Sequence, residues 1–165
     1  ELARYPIHWH LVGDAGKGQY IRNASIHDTF NRCVTVHGTN DLRIENNVTY
    51  NIVGHCFFME DGIETGNEYI RNLAIQTKCH TSKPCVPTNL AASGEPRAGT
   101  GGQQSKDVLL PSDNTVSSFW ITNPDNIYRD NVAAGAEIGF WFALRSVCAL
   151  FGAPSHRLRP RAFLF

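Results

Sequence analysis

The feature that most constrains this chain is an internal repeat. Tyr20-Ile-Arg-Asn23, Arg43-Ile-Glu-Asn-Asn47, Tyr69-Ile-Arg-Asn72 and Ile127-Tyr-Arg-Asp-Asn131 each end a short β-prone strand in Asn and run into another short strand. Asn47 follows Asn23 by 24 residues and Asn72 follows Asn47 by 25, a period suited to one coil of a β-solenoid. A second register runs beside the first: Cys33-Val-Thr-Val-His37, Cys56-Phe-Phe-Met-Glu60, Ser118-Phe-Trp-Ile-Thr122 and Gly139-Phe-Trp-Phe-Ala143. Alternation puts Val34/Val36, Phe57/Met59, Phe119/Ile121 and Phe140/Phe142 on one face, as strands with one buried side require.

No single coil can bury its apolar face alone, whereas coils stacked about 4.8 Å apart satisfy the backbone and build one core. The expected fold is therefore all-β, a fragment of a right-handed parallel β-helix spanning residues 1–144. Asn at the turns is expected both to hydrogen-bond from coil to coil and to adopt left-handed backbone angles. On that reading the sequons Asn23-Ala-Ser and Asn47-Val-Thr turn inward and are closed to glycans. Between Asn72 and Asn131 lie 59 residues, more than two periods. The surplus is assigned to an inserted loop over about 79–114, rich in Pro and carrying the run ASGEPRAGTGGQQSK.

Length permits one ordinary domain: 165 residues can bury a core unaided. Fifteen Lys and Arg balance fifteen Asp and Glu, which argues against a nucleic-acid partner and against a polybasic membrane surface. No apolar run is long enough to cross a bilayer, and the start lacks both Met and a signal segment, so the chain reads as a piece of something longer. Five cysteines, Cys33, Cys56, Cys79, Cys85 and Cys148, leave the compartment open by arithmetic. Cys79 and Cys85 suit a local bridge if the protein is secreted. A zinc knuckle there with His80 lacks a second cysteine pair.

Aligning the strand registers places candidate chemistry. With Ile7-His-Trp-His10 in the register of Val34-Thr-Val-His37 and Phe57-Phe-Met-Glu60, the side chains of His10, His37 and Glu60 stack on successive coils, and His8 shares their face. His8, His10 and His37 form a ligand set for a divalent metal, zinc or copper; the alternative is exposed or turn-bonded imidazoles. Glycoside cleavage wants one protonated and one ionised carboxyl. The candidates are Glu60, Asp61 and Asp14, with Glu64 and Asp28 behind them; for Asp14, Asp28 and Asp61 turn capping is the commoner role. Glu60 and Asp61 can serve together only if the strand ends between them, which Asp61-Gly62 favours. Phe58, Trp120 and Trp141 fall in one outward row with His8 and Thr35, a candidate aromatic strip for sugar rings. Arg22, with Arg71 and Arg129, recurs beside the Asn positions and suits the carboxylates of an anionic glycan; solvated surface is its alternative reading.

These residues also carry a resemblance. Arg4-Tyr-Pro-Ile-His-Trp-His-Leu-Val-Gly-Asp14, Ser25-Ile-His-Asp-Thr-Phe-Asn-Arg-Cys-Val-Thr-Val-His-Gly-Thr39, Gly54-His-Cys-Phe-Phe-Met-Glu-Asp-Gly-Ile-Glu64, Leu109-Leu-Pro-Ser-Asp113 and Phe119-Trp-Ile-Thr-Asn-Pro-Asp-Asn126 follow one another in order. Together they resemble the β-helix region after the G8 domain in hyaluronan-binding, cell-surface hyaluronidase and fibrocystin-like proteins. The resemblance covers roughly residues 3–144; residues 145–165 read as a divergent tail. It implies an extracellular module, secreted or at the cell surface, that binds hyaluronan or supports its depolymerisation by a glycosidase. It also implies flanking coils and a G8-type domain as neighbours. It leaves open a non-catalytic receptor or adhesion module with a structural β-helix. A pectate-lyase-like enzyme holding calcium ranks last, because the acidic residues do not cluster on adjacent coils.

Overall fold

The computed structural model describes residues 5–79 and 116–144. It is an all-β solenoid of parallel strands. The first coil holds β1 (Ile7–Gly13), β2 (Tyr20–Arg22) and β3 (Ser25–Thr29); the second β4 (Val34–Thr39), β5 (Arg43–Glu45) and β6 (Val48–Val53). The third holds β7 (Phe57–Met59), β8 (Glu68–Ile70) and β9 (Leu73–Lys78), and the fourth β10 (Ser117–Ile121), β11 (Ile127–Arg129) and β12 (Val132–Ala134). β13 (Ile138–Phe142) then lies on β10. Corresponding strands pile into three parallel sheets: A (β1, β4, β7, β10, β13), B (β2, β5, β8, β11) and C (β3, β6, β9, β12).

The Asn-terminated segments are thus sheets B and C with the corner between them, and the second register is sheet A. Val34, Val36, Phe57, Met59, Phe119 and Ile121 point inward and are buried, each such side chain contributing about 1.5–3 kcal/mol relative to exposure. Phe57, Phe119 and Phe140 form one stack, with ring centroids 4.8 and 4.6 Å apart. Phe140 and Phe142 keep the register but stay exposed on β13, the outermost described strand of sheet A. β9 ends at Lys78 and β10 begins at Ser117, in register with β7 through Phe57↔Phe119. The expected insertion, Cys79 apart, lies outside the described residues, as does the tail.

At the corner between sheets B and C one expectation needs correction. Left-handed geometry and coil-to-coil bonding belong to neighbouring positions, not to one Asn. The left-handed residues are Asn23, Asn46, Arg71 and Asp130, with φ of 56°, 55°, 51° and 57°. The bonding ladder sits one residue later, at Asn47, Asn72 and Asn131, with Ala24 in the first coil. Asn72 Oδ1 accepts from the Asn47 backbone N–H at 3.1 Å and from Asn47 Nδ2 at 2.9 Å. Asn72 Nδ2 donates to Ile44 O at 2.9 Å and to Asn131 Oδ1 at 3.0 Å. Asn23 therefore pairs with Asn46, whose Nδ2 donates to its Oδ1 at 2.7 Å. A second ladder, without a counterpart in the Asn repeat, stands at the corner between sheets A and B: Asn67 Oδ1 accepts from Leu42 N, and Asn126 Oδ1 accepts from Asn67 N.

A covalent tie joins the second and third coils: Cys33 and Cys56, each just ahead of its sheet A strand, form a disulfide with Cα atoms 4.7 Å apart. That separation matches the spacing of hydrogen-bonded strands, so the bridge follows from the register. Cys79 is disulfide-bonded as well; Cys85, its expected partner, lies outside the described residues.

The division of labour at the corner is testable by denaturant unfolding. Asn72→Ala strands the Asn47 N–H and the Ile44 carbonyl and should cost about 2–4 kcal/mol. Asn23→Gly, at a left-handed exposed position that glycine accepts, should change stability by less than about 1 kcal/mol. Equal losses in the two variants would contradict the ladder's placement.

Candidate functional site

The site is built on the outer wall of sheet A, where β1 and β4 run side by side. Strand alternation turns His8 and His10 to the same side, and the pairing His10↔His37 adds the third imidazole from the next coil. One ring nitrogen from each of His8, His10 and His37 lies within 4.8 Å of the others. His10 Nδ1 and His37 Nδ1 are 2.9 Å apart, and the His8 and His37 rings stack with centroids at 6.1 Å. His8 Nε2 is buried with no hydrogen-bond partner among the described residues. Burial, then the nearby His10 and His37, hold His8 below the ordinary histidine range, favouring the neutral ring that coordinates metals.

The third coil brings carboxylates to the same imidazole. β7 ends at Met59, and the following backbone continues the register through Glu60 N–H to Val36 O at 3.0 Å. Glu60 Oε2 comes to 3.6 Å from His37 Nδ1. Because the strand has ended, Asp61 does not turn to the opposite face; its Oδ2 lies 2.8 Å from His37 Nε2. Asp61 thus assigns the His37 proton to Nε2 and leaves Nδ1 as the electron-pair donor facing His10, the arrangement by which carboxylates orient metal-binding imidazoles. Nitrogens sharing one tetrahedral zinc at bonds of about 2.0–2.1 Å lie roughly 3.3 Å apart, so His10 and His37 would separate by only a few tenths of an ångström. Burial pushes Glu60 up from the ordinary glutamate range, partly offset by His37.

Glu64 is not an acid of the site but its anchor. It is fully buried, and its carboxylate accepts three backbone N–H groups: Gly38 at 2.9 Å, Asp61 at 3.0 Å and Gly62 at 2.7 Å. Gly38 follows His37 in sequence, so one carboxylate fastens both the histidine strand and the aspartate that orients it. The tight turn depends on Gly62, with φ 81° and a Cβ position 3.2 Å from Thr122 O.

Other expected groups lie elsewhere. Asp14 sits in a single 3-10 turn (Asp14–Gly16) beyond the end of β1, its carboxylate taking a 2.7 Å bond from Asn40 Nδ2. Asp28 lies on sheet C; the hydrogen bond from Asn51, then that with His27, draws its carboxyl below the usual range. Both serve turns. The row His8–Thr35–Phe58–Trp120–Trp141 exists as registered, but it is not an open aromatic strip. Phe58 and Trp120 are buried, 4 % and 5 % exposed. The Arg32 guanidinium lies 3.9 Å over Phe58, and the His55 ring is 4.6 Å from that of Trp120. Trp141, half-buried, stacks on Trp120 at 5.7 Å.

The arginines make no continuous cationic stripe either. Arg22 lies on sheet B, a different wall, with its guanidinium 4.4 Å over Tyr20. It shares a row with Glu45, Ile70 and Arg129, whereas Arg71 occupies the corner and bonds Glu45 at 2.7 Å. Arg43 bridges Glu45 and Glu68. Surface pairs of this kind contribute little to stability.

If Glu64 anchors the site, Glu64→Gln should destabilise the domain by about 2–4 kcal/mol, since an amide cannot accept all three N–H bonds. Asp61→Asn should leave stability within about 1 kcal/mol, yet nitrogen NMR of His37 should lose its fixed Nε2–H tautomer. An unchanged His37 signature would refute that assignment.

Comparison with known proteins agrees with the architecture. The family model described as CEMIP beta-helix matches residues 1–158. Human fibrocystin-L is 40 % identical over 146 residues, 88 % of this chain but 3 % of that protein. The human cell migration-inducing and hyaluronan-binding protein is 40 % identical over 153 residues, 88 % of this chain and 11 % of the relative. The human cell surface hyaluronidase CEMIP2 is 38 % identical over 151 residues, 86 % of this chain and 11 % of the relative. The chain thus spans about a tenth or less of these relatives. With a parallel solenoid in the coordinates and a family match across nearly its whole length, the chain belongs to the CEMIP beta-helix family.

Proposed function

We propose that this β-helix is an extracellular module that binds hyaluronan or a related anionic glycan on the outer wall of sheet A, beside a zinc or copper ion held by His8, His10 and His37. The observation that carries this reading is the convergence of three imidazoles within 4.8 Å, one of them with a buried, unpartnered nitrogen. A bound divalent ion supplies positive charge that neutral histidines lack, and sugar carboxylates are hard oxygen ligands that complete such a site. Two relatives whose names include hyaluronan binding or hyaluronidase support the choice of glycan. The Cys33–Cys56 disulfide supports an oxidising, secretory location. G8-type and further coil segments are the expected neighbours in the whole protein.

The same wall supports depolymerisation. Glu60, pushed up by burial, is suited to keep a proton for a glycosidic oxygen, and Asp61, fixed on His37, supplies the second carboxylate that hydrolysis of a glycoside requires. A purely structural wall in a receptor is the competing reading, favoured by the buried Phe58 and Trp120 and by the equal identity to fibrocystin-L.

Incubating the full-length protein with size-defined hyaluronan, with and without chelator, separates them. Shortened chains that disappear with chelator are the expected result for the enzyme, and retention without shortening is expected for a binder. Neither retention nor shortening would reject the proposal. His10→Ala with His37→Ala should lower bound zinc or copper at least tenfold by elemental analysis; unchanged metal content would remove the site.

A further inference from the structure

We infer that Asn23 carries an N-linked glycan and that Asn47, the other sequon, does not. The two sequons, Asn23-Ala24-Ser25 and Asn47-Val48-Thr49, are nearly one coil apart, and position relative to the ladder decides between them. Sugar is attached to Nδ2, so the state of that atom is what matters. Asn47 is fully buried, and its Nδ2 donates to Ile21 O at 3.2 Å and to Asn72 Oδ1 at 2.9 Å. A glycan there would break both bonds and keep the second and third coils from stacking. Asn23 stands one position earlier in its turn, exposed and left-handed. Its side-chain oxygen accepts from Asn46, while its Nδ2 makes no hydrogen bond among the described residues. Ser25 is exposed as well, at the first position of β3.

A second observation concerns what surrounds that corner. On the outer faces of sheets B and C, large apolar side chains stand in water: Tyr20 at 55 %, Val48 at 44 % and Tyr50 at 50 % exposure. Val48 pairs directly with Ser25 of the sequon, and Tyr50 with His27 two residues on. Tyr20 lies in β2, which leads into Asn23. A bulky, solubilising glycan on Asn23 would stand beside this apolar surface and shield it from other molecules. Sheet A takes no part in the corner that bears Asn23, so the histidine wall stays clear.

The inference rests on the secretory location proposed above, and the Cys33–Cys56 disulfide is its support on the page. The test is the full-length protein collected from a secreting animal-cell culture and treated with peptide-N-glycosidase in heavy-oxygen water, followed by peptide mass spectrometry. The expected result is labelled conversion of Asn23 to Asp, with Asn47 unlabelled. Ser25→Ala, which leaves Asn23 and its bond to Asn46 intact, should remove the label without loss of secretion. Secreted protein lacking label at Asn23, or carrying it at Asn47, overturns the inference while leaving the location intact. Protein that stays in the cytosol with its cysteines reduced overturns the location and this inference together.

Discussion

Every coil depends on carrying the parallel hydrogen-bond ladder around a corner. Strands satisfy their own backbones, but a turn buried between two coils leaves N–H and C=O groups without a strand opposite, at a cost of about 1–3 kcal/mol for each orphan. The inner asparagines meet that need because a primary amide has the donor and acceptor of a peptide group. Asn47, Asn72 and Asn131 each give Nδ2 to a carbonyl of the preceding coil, at Ile21, Ile44 and Tyr69, and each takes a backbone N–H from it, at Ala24, Asn47 and Asn72. The register of sheets B and C is thereby pinned, and that of sheet A follows through the intervening corners.

Much of this was legible in the sequence because solenoid periodicity writes the register twice, once in the Asn-terminated strands and once in the aromatic ones. The inward faces and the row His8–Thr35–Phe58–Trp120–Trp141 came straight from alternation and period. What escaped was of two kinds. A one-residue ambiguity hid the split between Asn23 and Ala24, because Asn46-Asn47 offers two asparagines and only backbone angles tell them apart. Coverage was the other. Nothing in a strand's pattern says that Arg32 and His55, from the turns that precede it, will fold over Phe58 and Trp120. The Cys33–Cys56 bridge is readable from the register, since both cysteines head their sheet A strands, whereas closeness in sequence favours Cys79 with Cys85.

The candidate site shows the same mixture. Convergence of His8, His10 and His37 needs only pleat and register. Glu64 needs more: its bonds to Gly38, Asp61 and Gly62 arise from a turn folding back on the neighbouring coil. A buried carboxylate satisfied wholly by backbone N–H groups carries no sequence signature beyond an acidic residue two places after a glycine. Its effect is to make His37 and Asp61 rigid relative to each other, which a site assembled from two coils otherwise lacks.

The junction between β9, which ends at Lys78, and β10, which begins at Ser117, bears on how such a fold acquires new parts. Both flanking strands are held by partners in adjacent coils, so their register does not depend on the residues between them. Closing a longer excursion costs only about 0.6 kcal/mol per doubling of its length. A seam of this sort lets evolution splice peptide of almost any size into the stack, one coil away from the histidines, without renegotiating the core.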